Sequence, residues 1–422
     1  MKTNENEGEL KFPDGFLWGA ATSAYQVEGG NVNDWSEWEK KNADRLADEA
    51  RTKWAPWQRE KFPEMFDSQN YISGRACDHY NRYEEDLDIA KSLGFNAFRI
   101  SLEWSRIEPE EGKFDEKEIE HYRKVIEAIR ARGMEPFVCL WAFTNPIWLA
   151  NIGGVVHKNF PEYFSRYAEC LAEKFNGLVK FWITINEPTT IIGMSYAIGR
   201  WPPQKKRPLL ALKAYKNFAE AHCLAYDKIC KKSKNYQVAF SHLFRFIEAC
   251  NKKSALDSLS VGISNYFANQ KFFNLIEDKN DFLAVQYYFH DRVKFPGFIR
   301  NENKEVSDLG WEIYPEGIYH ILKDLKKYNL PIYITENGLA DTEDKKRAKF
   351  IKDHLGWVHK AIQEGADVRG YFHWSLLDNF EWDKGFWPRF GLVEIDYKTM
   401  ERKIRPSAWE YAKICKNNFV NS

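Results

Sequence analysis

Phe181-Trp182-Ile183-Thr184-Ile185-Asn186-Glu187-Pro188 is an apolar run that turns polar at its end, and Pro331-Ile332-Tyr333-Ile334-Thr335-Glu336-Asn337-Gly338 repeats the pattern. Each reads as a buried strand that carries a carboxylate at its C-terminal end and is broken by Pro188 or Gly338 just beyond it. Working outward, six more strand-like runs appear at 16–21, 96–102, 135–141, 180–186 being the fourth, then 237–242, 281–288 and 368–375, with 331–336 as the seventh. Amphipathic helical patterns lie between them. In 115–132, Ile119, Tyr122, Ile126 and Ile129 recur on one face and Gly133 follows as a stop; 161–176 and 345–363 are built the same way. Strand–helix alternation along the whole chain implies a parallel sheet. Eight units in 422 residues favour one closed (β/α)8 TIM barrel over residues 1–422, with a polar tail at 1–11 and a rim loop insertion at 45–75. A doubly wound open sheet is the alternative, but no Gly-x-Gly-x-x-Gly follows the first strand. In a barrel the chemistry sits at the C-terminal strand ends. Glu187 ends the fourth strand, Glu336 the seventh and Trp374 the eighth, and Arg99 lies within the second.

Composition narrows the class. Lys+Arg and Asp+Glu are equal at 61 each, so net charge gives no sign of nucleic acid or an anionic membrane surface as partner. No run of about 18 apolar residues exists, so no membrane span is expected. The first ten residues are polar and acidic without an apolar leader pattern, and the seven scattered cysteines contain no Cys-x-x-Cys; both point to reduced thiols in a cytoplasmic protein. Sixteen Trp allow either a large aromatic core or stacking against the C–H faces of sugar rings.

Two carboxylates on rigid strand ends are what cleavage of a glycosidic bond needs. A nucleophilic Glu336 must stay ionised, and Arg99 and the Tyr288 phenol are the groups that can keep it so. Glu187 must hold a proton for the departing oxygen, and repulsion from an ionised Glu336 raises its pKa. When Glu336 is covalently occupied that repulsion vanishes, so Glu187 can then act as base toward water. A carboxyl separation of about 5–5.5 Å is expected, with retention of configuration.

The chain resembles glycoside hydrolase family 1, the retaining β-glucosidase and β-galactosidase group, over nearly its whole length. The motifs that carry the resemblance run from Phe12 to Gly29, from Ala76 to Asp86 and from Phe98 to Ile107, then through Thr184–Pro188, Tyr333–Gly338, Trp374–Trp382 and Arg389–Leu392; a Trp-Pro-Pro segment at 201–203 is similar to archaeal-type members. The resemblance implies Glu187 as acid/base, Glu336 as nucleophile, and Asn186 as the group that binds the sugar 2-hydroxyl. It implies Gln26, Trp374, Glu381 and Trp382 as partners of the other hydroxyls, with Phe143 and Phe390 as further substrate-binding positions. It implies a small β-glycoside or oligosaccharide as substrate, and no metal or cofactor. A carboxylate at Glu381 would repel a phosphate, so an unphosphorylated sugar is expected.

Two positions depart from the family pattern. Ala142 stands where the third-strand motif usually has His, and Gln286 stands where the sixth-strand motif, here Gln286-Tyr287-Tyr288, usually begins with Asn. The region 243–280 also looks short for the family, which would open the rim there. These departures keep two alternatives in view, a sugar-binding pseudoenzyme and a transglycosylase that uses the same intermediate. A metal-dependent barrel hydrolase would want His-x-His after the first strand, where the chain has Trp18-Gly-Ala-Ala-Thr-Ser, and a Schiff-base aldolase would want a Lys at a strand end.

Overall fold

The computed structural model describes residues 8–276 and 278–421. Eight parallel strands close into a barrel: β1 (Leu17–Ala21), β2 (Ala97–Ser101), β3 (Glu135–Trp141), β4 (Phe181–Asn186), β5 (Gln237–Ala249), β6 (Leu283–Lys294), β7 (Ile332–Asn337) and β8 (Val368–Trp374). Each pairs with its neighbours in chain order, β8 pairs with β1, and the β5–β6 pairing leaves no free edge. All eight runs predicted as strands are strands.

Burial explains why they hold. The inner face is filled by small and aromatic side chains, with Ala97, Ala239 and Ala284 making room for Phe137, Phe181 and Phe372. The Phe137 and Phe181 rings stack with centroids 4.2 Å apart. Outside, the predicted helices appear at Glu116–Ala131, Phe160–Lys174 and Arg347–Gln363. In the first, Ile119, Tyr122, Ile126 and Ile129 are buried as their spacing requires, and Gly133 takes the left-handed φ of 71° at the stop.

Three boundaries differ from the sequence reading. Residues 1–7 of the predicted tail lie outside the described residues, but Glu9–Lys11 form a strand paired antiparallel with Phe419–Asn421, so the start is tied to the end of the chain. The segment 45–75 is not a loop. A helix runs from Asp34 to Lys53, capped reciprocally by Asn33 and Ser36, and short helical turns follow at Pro56–Lys61, Pro63–Phe66 and Ser68–Tyr71. Its aromatics pack on the barrel rim rather than on themselves, Trp54 and Phe62 against Trp387 with centroids 5.0 Å away in each case. Finally, β5 and β6 outrun their predicted ends at 242 and 288. They continue as a two-stranded ribbon, Arg245 opposite Phe289 through Ala249 opposite Val293, beyond the C-terminal rim.

Candidate active site

The C-terminal rim holds a cavity of about 480 Å³. All eleven residues singled out from the sequence line it: Gln26, Arg99, Phe143, Asn186, Glu187, Tyr288, Glu336, Trp374, Glu381, Trp382 and Phe390.

Glu336, near the end of β7, is buried and accepts three hydrogen bonds. Arg99 Nη1 from β2 and Gln286 Nε2 from β6 both donate to Oε1, and Tyr288 Oη donates to Oε2 at 2.9 Å. Burial pushes its carboxyl up, while the Arg99 charge and the bonds from Arg99 and Tyr288 pull it down. Gly338, two residues on, is there because nothing larger fits: a Cβ would lie 1.8 Å from the Trp374 carbonyl oxygen. That close approach brings the ends of β7 and β8 together.

Glu187 follows β4 directly, in the left-handed conformation with φ 45°, and Pro188 opens a short helix behind it. Its backbone N–H is held by the Ser241 carbonyl at 2.9 Å. Among the described residues, no cation is bonded to its carboxyl. Its pKa is pushed up from the ordinary 4.5 to about 8, first by burial and second by the charge of Glu336; Thr190 and Arg99 oppose this. The sequence reading made like-charge repulsion the cause. The structure ranks it second, because a barrel rim roofed with aromatic rings removes water from the carboxyl.

Asn186 Oδ1 accepts from Arg99 Nη2 at 2.6 Å, Ser241 Oγ at 2.8 Å and Gln286 Nε2 at 2.9 Å. With Oδ1 fully used, Nδ2 is the end that can donate to a ligand hydroxyl. Gln26 donates from Nε2 to Asn379 Oδ1 at 3.0 Å and to the Phe380 carbonyl at 2.9 Å. Glu381 is pushed up to about 7 by burial against the pull of Lys384, with Asp383 and Glu336 adding to the rise. Trp382 is wedged in an aromatic cluster, 4.7 Å from Trp35, 4.9 Å from Phe143 and stacked at 5.6 Å on Tyr25.

Ser241, Trp201 and Trp311 also belong to the site and were not singled out as site residues. Trp201 had a signal, its Trp-Pro-Pro context; Ser241 had none, because a serine ending a strand run looks like any turn residue. Gln286, noted only as a departure, is a central donor. Ala142 lines the cavity where a larger side chain would narrow it. Among the described residues, no group of three His, Cys, Asp or Glu side chains is placed to hold a metal ion.

A buried carboxyl whose pKa is raised, Glu187, lines the same cavity as a buried carboxyl, Glu336, that is bonded by a guanidinium, an amide and a phenol. Known proteins are similar along nearly the whole chain. The β-glucosidase A of Thermotoga maritima is 33% identical over 456 aligned residues, covering 97% of this chain and 98% of its own. A β-galactosidase of Pyrococcus woesei is 30% identical, covering 97% and 98%. The solved β-glycosidase from Pyrococcus horikoshii superposes with a TM-score of 0.87 at 36% identity over 98% of this chain and 97% of that one. The glycosyl hydrolase family 1 profile matches residues 9–276 and 267–420, and the chain belongs to that family as a β-glycosidase.

Proposed function

We propose that this enzyme hydrolyses terminal, unphosphorylated β-D-glucosyl residues, and related β-glycosyl residues, by double displacement through a covalent glycosyl-enzyme. The observation that carries the reading is the asymmetry of the two acids: Glu336 has Arg99, Gln286 and Tyr288 on its oxygens, and among the described residues no cation is bonded to Glu187.

In the first half-reaction Glu336 attacks the anomeric carbon as Glu187 gives its proton to the departing oxygen. The C–O bond to the aglycone breaks and an acyl-type ester to Glu336 forms. That ester removes the charge that helps keep Glu187 protonated, so the Glu187 pKa falls and the group stays ionised. In the second half-reaction it takes a proton from water as the water oxygen bonds to the anomeric carbon and the ester C–O bond breaks, freeing the sugar and the Glu336 carboxylate. Asn186, whose Oδ1 is already used by protein donors, gives a hydrogen bond from Nδ2 to the 2-hydroxyl. Glu381 and Gln26 Oε1 offer adjacent acceptors to the far hydroxyls, Gln26 Nε2 being committed to Asn379 and Phe380, and the Glu381 charge disfavours a phosphate there.

The test is nitrophenol release from nitrophenyl β-glucoside. Glu336→Gln should abolish turnover. Glu187→Gln should lower it by about 10²–10⁴-fold, with the larger loss on poor leaving groups that need the proton most. Retained turnover in Glu336→Gln would end the reading. A rate on a 6-phosphoglucoside above that on the plain glucoside would end its substrate half.

A further inference from the structure

The helix Ala255–Asn265 is inside out. Its buried residues are Asp257 and Ser260, while Leu256, Leu259 and Ile263, spaced to share one face, are each more than half exposed. Asp257 is held inward because its carboxylate accepts the backbone N–H groups of Asn251 at 3.1 Å and Phe295 at 3.0 Å. The second of these ties the helix to the tip of the β6 ribbon. That tip, Lys294-Phe295-Pro296-Gly297-Phe298-Ile299-Arg300, exposes Phe295, Phe298 and Ile299 between two exposed cations. On the other side, Tyr215 Oη donates to the Phe267 carbonyl at 3.3 Å and joins the start of the helix Pro208–Lys232, where Leu209 is 80% exposed.

This exposure is concentrated. Of the sixteen large hydrophobic side chains exposed among the described residues, twelve fall within 198–212, 256–275 and 295–299, so the apolar surface is a sector of the rim rather than a scatter. The sector is also cationic. Between Glu187 and Glu220 the chain carries six Lys or Arg and no Asp or Glu, and Lys205, Lys206, Arg207, Lys213 and Lys216 are all exposed. It is continuous with the active site, because the exposed Ile198 and Phe267 are also walls of the cavity, beside Met194 and Tyr215.

We propose that this sector docks the enzyme on an anionic lipid bilayer, and that the cavity takes from it β-glycosides with a long apolar aglycone. The substrate half rests on the glycosidase reading above. Apolar side chains with a collar of Lys and Arg match the two demands of such a surface, burial at the acyl boundary and pairing with anionic headgroups. A second copy of the chain fits worse, since a self-complementary contact would set Lys and Arg against Lys and Arg.

The test is flotation of the full-length enzyme with vesicles of phosphatidylcholine containing a quarter phosphatidylglycerol, against pure phosphatidylcholine, at low and high sodium chloride. The enzyme should float with the anionic vesicles and partition about tenfold less to neutral ones or at high salt. Leu259→Asp with Phe298→Asp should lose at least about tenfold of the partition while keeping the rate on nitrophenyl β-glucoside. Enzyme that stays unbound with both vesicles, or a variant that binds like wild type, overturns the docking surface. So does a wild type that dimerises in sedimentation velocity without binding vesicles, while the variant is monomeric. Dodecyl β-glucoside should be cleaved faster in anionic than in neutral vesicles; equal rates overturn the substrate half. Vesicle binding without nitrophenol release would instead sink the glycosidase reading and leave the docking surface standing.

Discussion

Gln286 couples Asn186 and Glu336, two parts of the site that chain order keeps 150 residues apart. Its Nε2 is shared between Glu336 and Asn186, so one amide orients both the proposed nucleophile and the proposed 2-hydroxyl donor. Gln286→Ala is expected to lower kcat/KM about 10–100-fold, the equivalent of leaving about 1–3 kcal/mol of hydrogen bonding unmade. It should also move the acid limb of the pH–rate profile upward, because Glu336 loses a donor that favours its charged form. An unmoved acid limb would show that Gln286 only fills space. With Glu187 as the proposed acid, the alkaline limb is expected to be its own. Activity needs its proton, so kcat/KM should fall as pH rises through about 8, and Glu187→Gln should lack that limb. Ala142→His tests the other departure: a donor restored to the cavity wall should raise kcat/KM on a glucoside, and no change would mean that Gln26 and Trp382 already hold the sugar. At this scale the sequence pointed to both acids through their strand-end contexts. It could not rank burial above charge as the cause of the Glu187 shift, nor find Ser241, because those facts depend on neighbours from other strands.

At the scale of elements, barrel strands were legible because both faces are buried and leave continuous apolar runs. What was not legible is where β5 and β6 stop. Their outer halves are only partly buried, and they persist as strands because each gives the other a ladder of backbone partners. The same cause hid the helical character of 34–71, whose aromatics face a rim built from residues more than three hundred positions away. Element ends can be decisive, as Gly338 shows. Gly338→Ala should cost about 3 kcal/mol or more, or force β7 and β8 apart, since the added carbon meets backbone that cannot rotate away. Denaturant unfolding measures the loss, and a shift near zero would mean that the strand ends yield easily.

Over the whole molecule, burial of acids shapes the response to pH. Glu187 has a folded pKa near 8 against the ordinary 4.5, so the folded state keeps a proton that the unfolded chain releases. Its contribution to stability is fully present below about 4.5 and is lost as pH rises through 8. Glu187→Gln removes this term, so its Tm relative to wild type should be higher at pH 9 than at pH 5, by about 1–2 °C for each kcal/mol regained. Calorimetry at the two pH values decides it, and an equal difference at both would refute the assignment. Charge shows the same dependence on scale. Sixty-one cations against sixty-one anions looked neutral in every respect, yet folding gathers cations and exposed apolar side chains into one sector of the rim. The order of strands, the barrel, and two acids at its strand ends follow from periodicity and motif, which are local properties of a chain. Which acid holds the proton, which amide bridges them and where the outer surface turns apolar follow from distances through space, and only the closed barrel sets those.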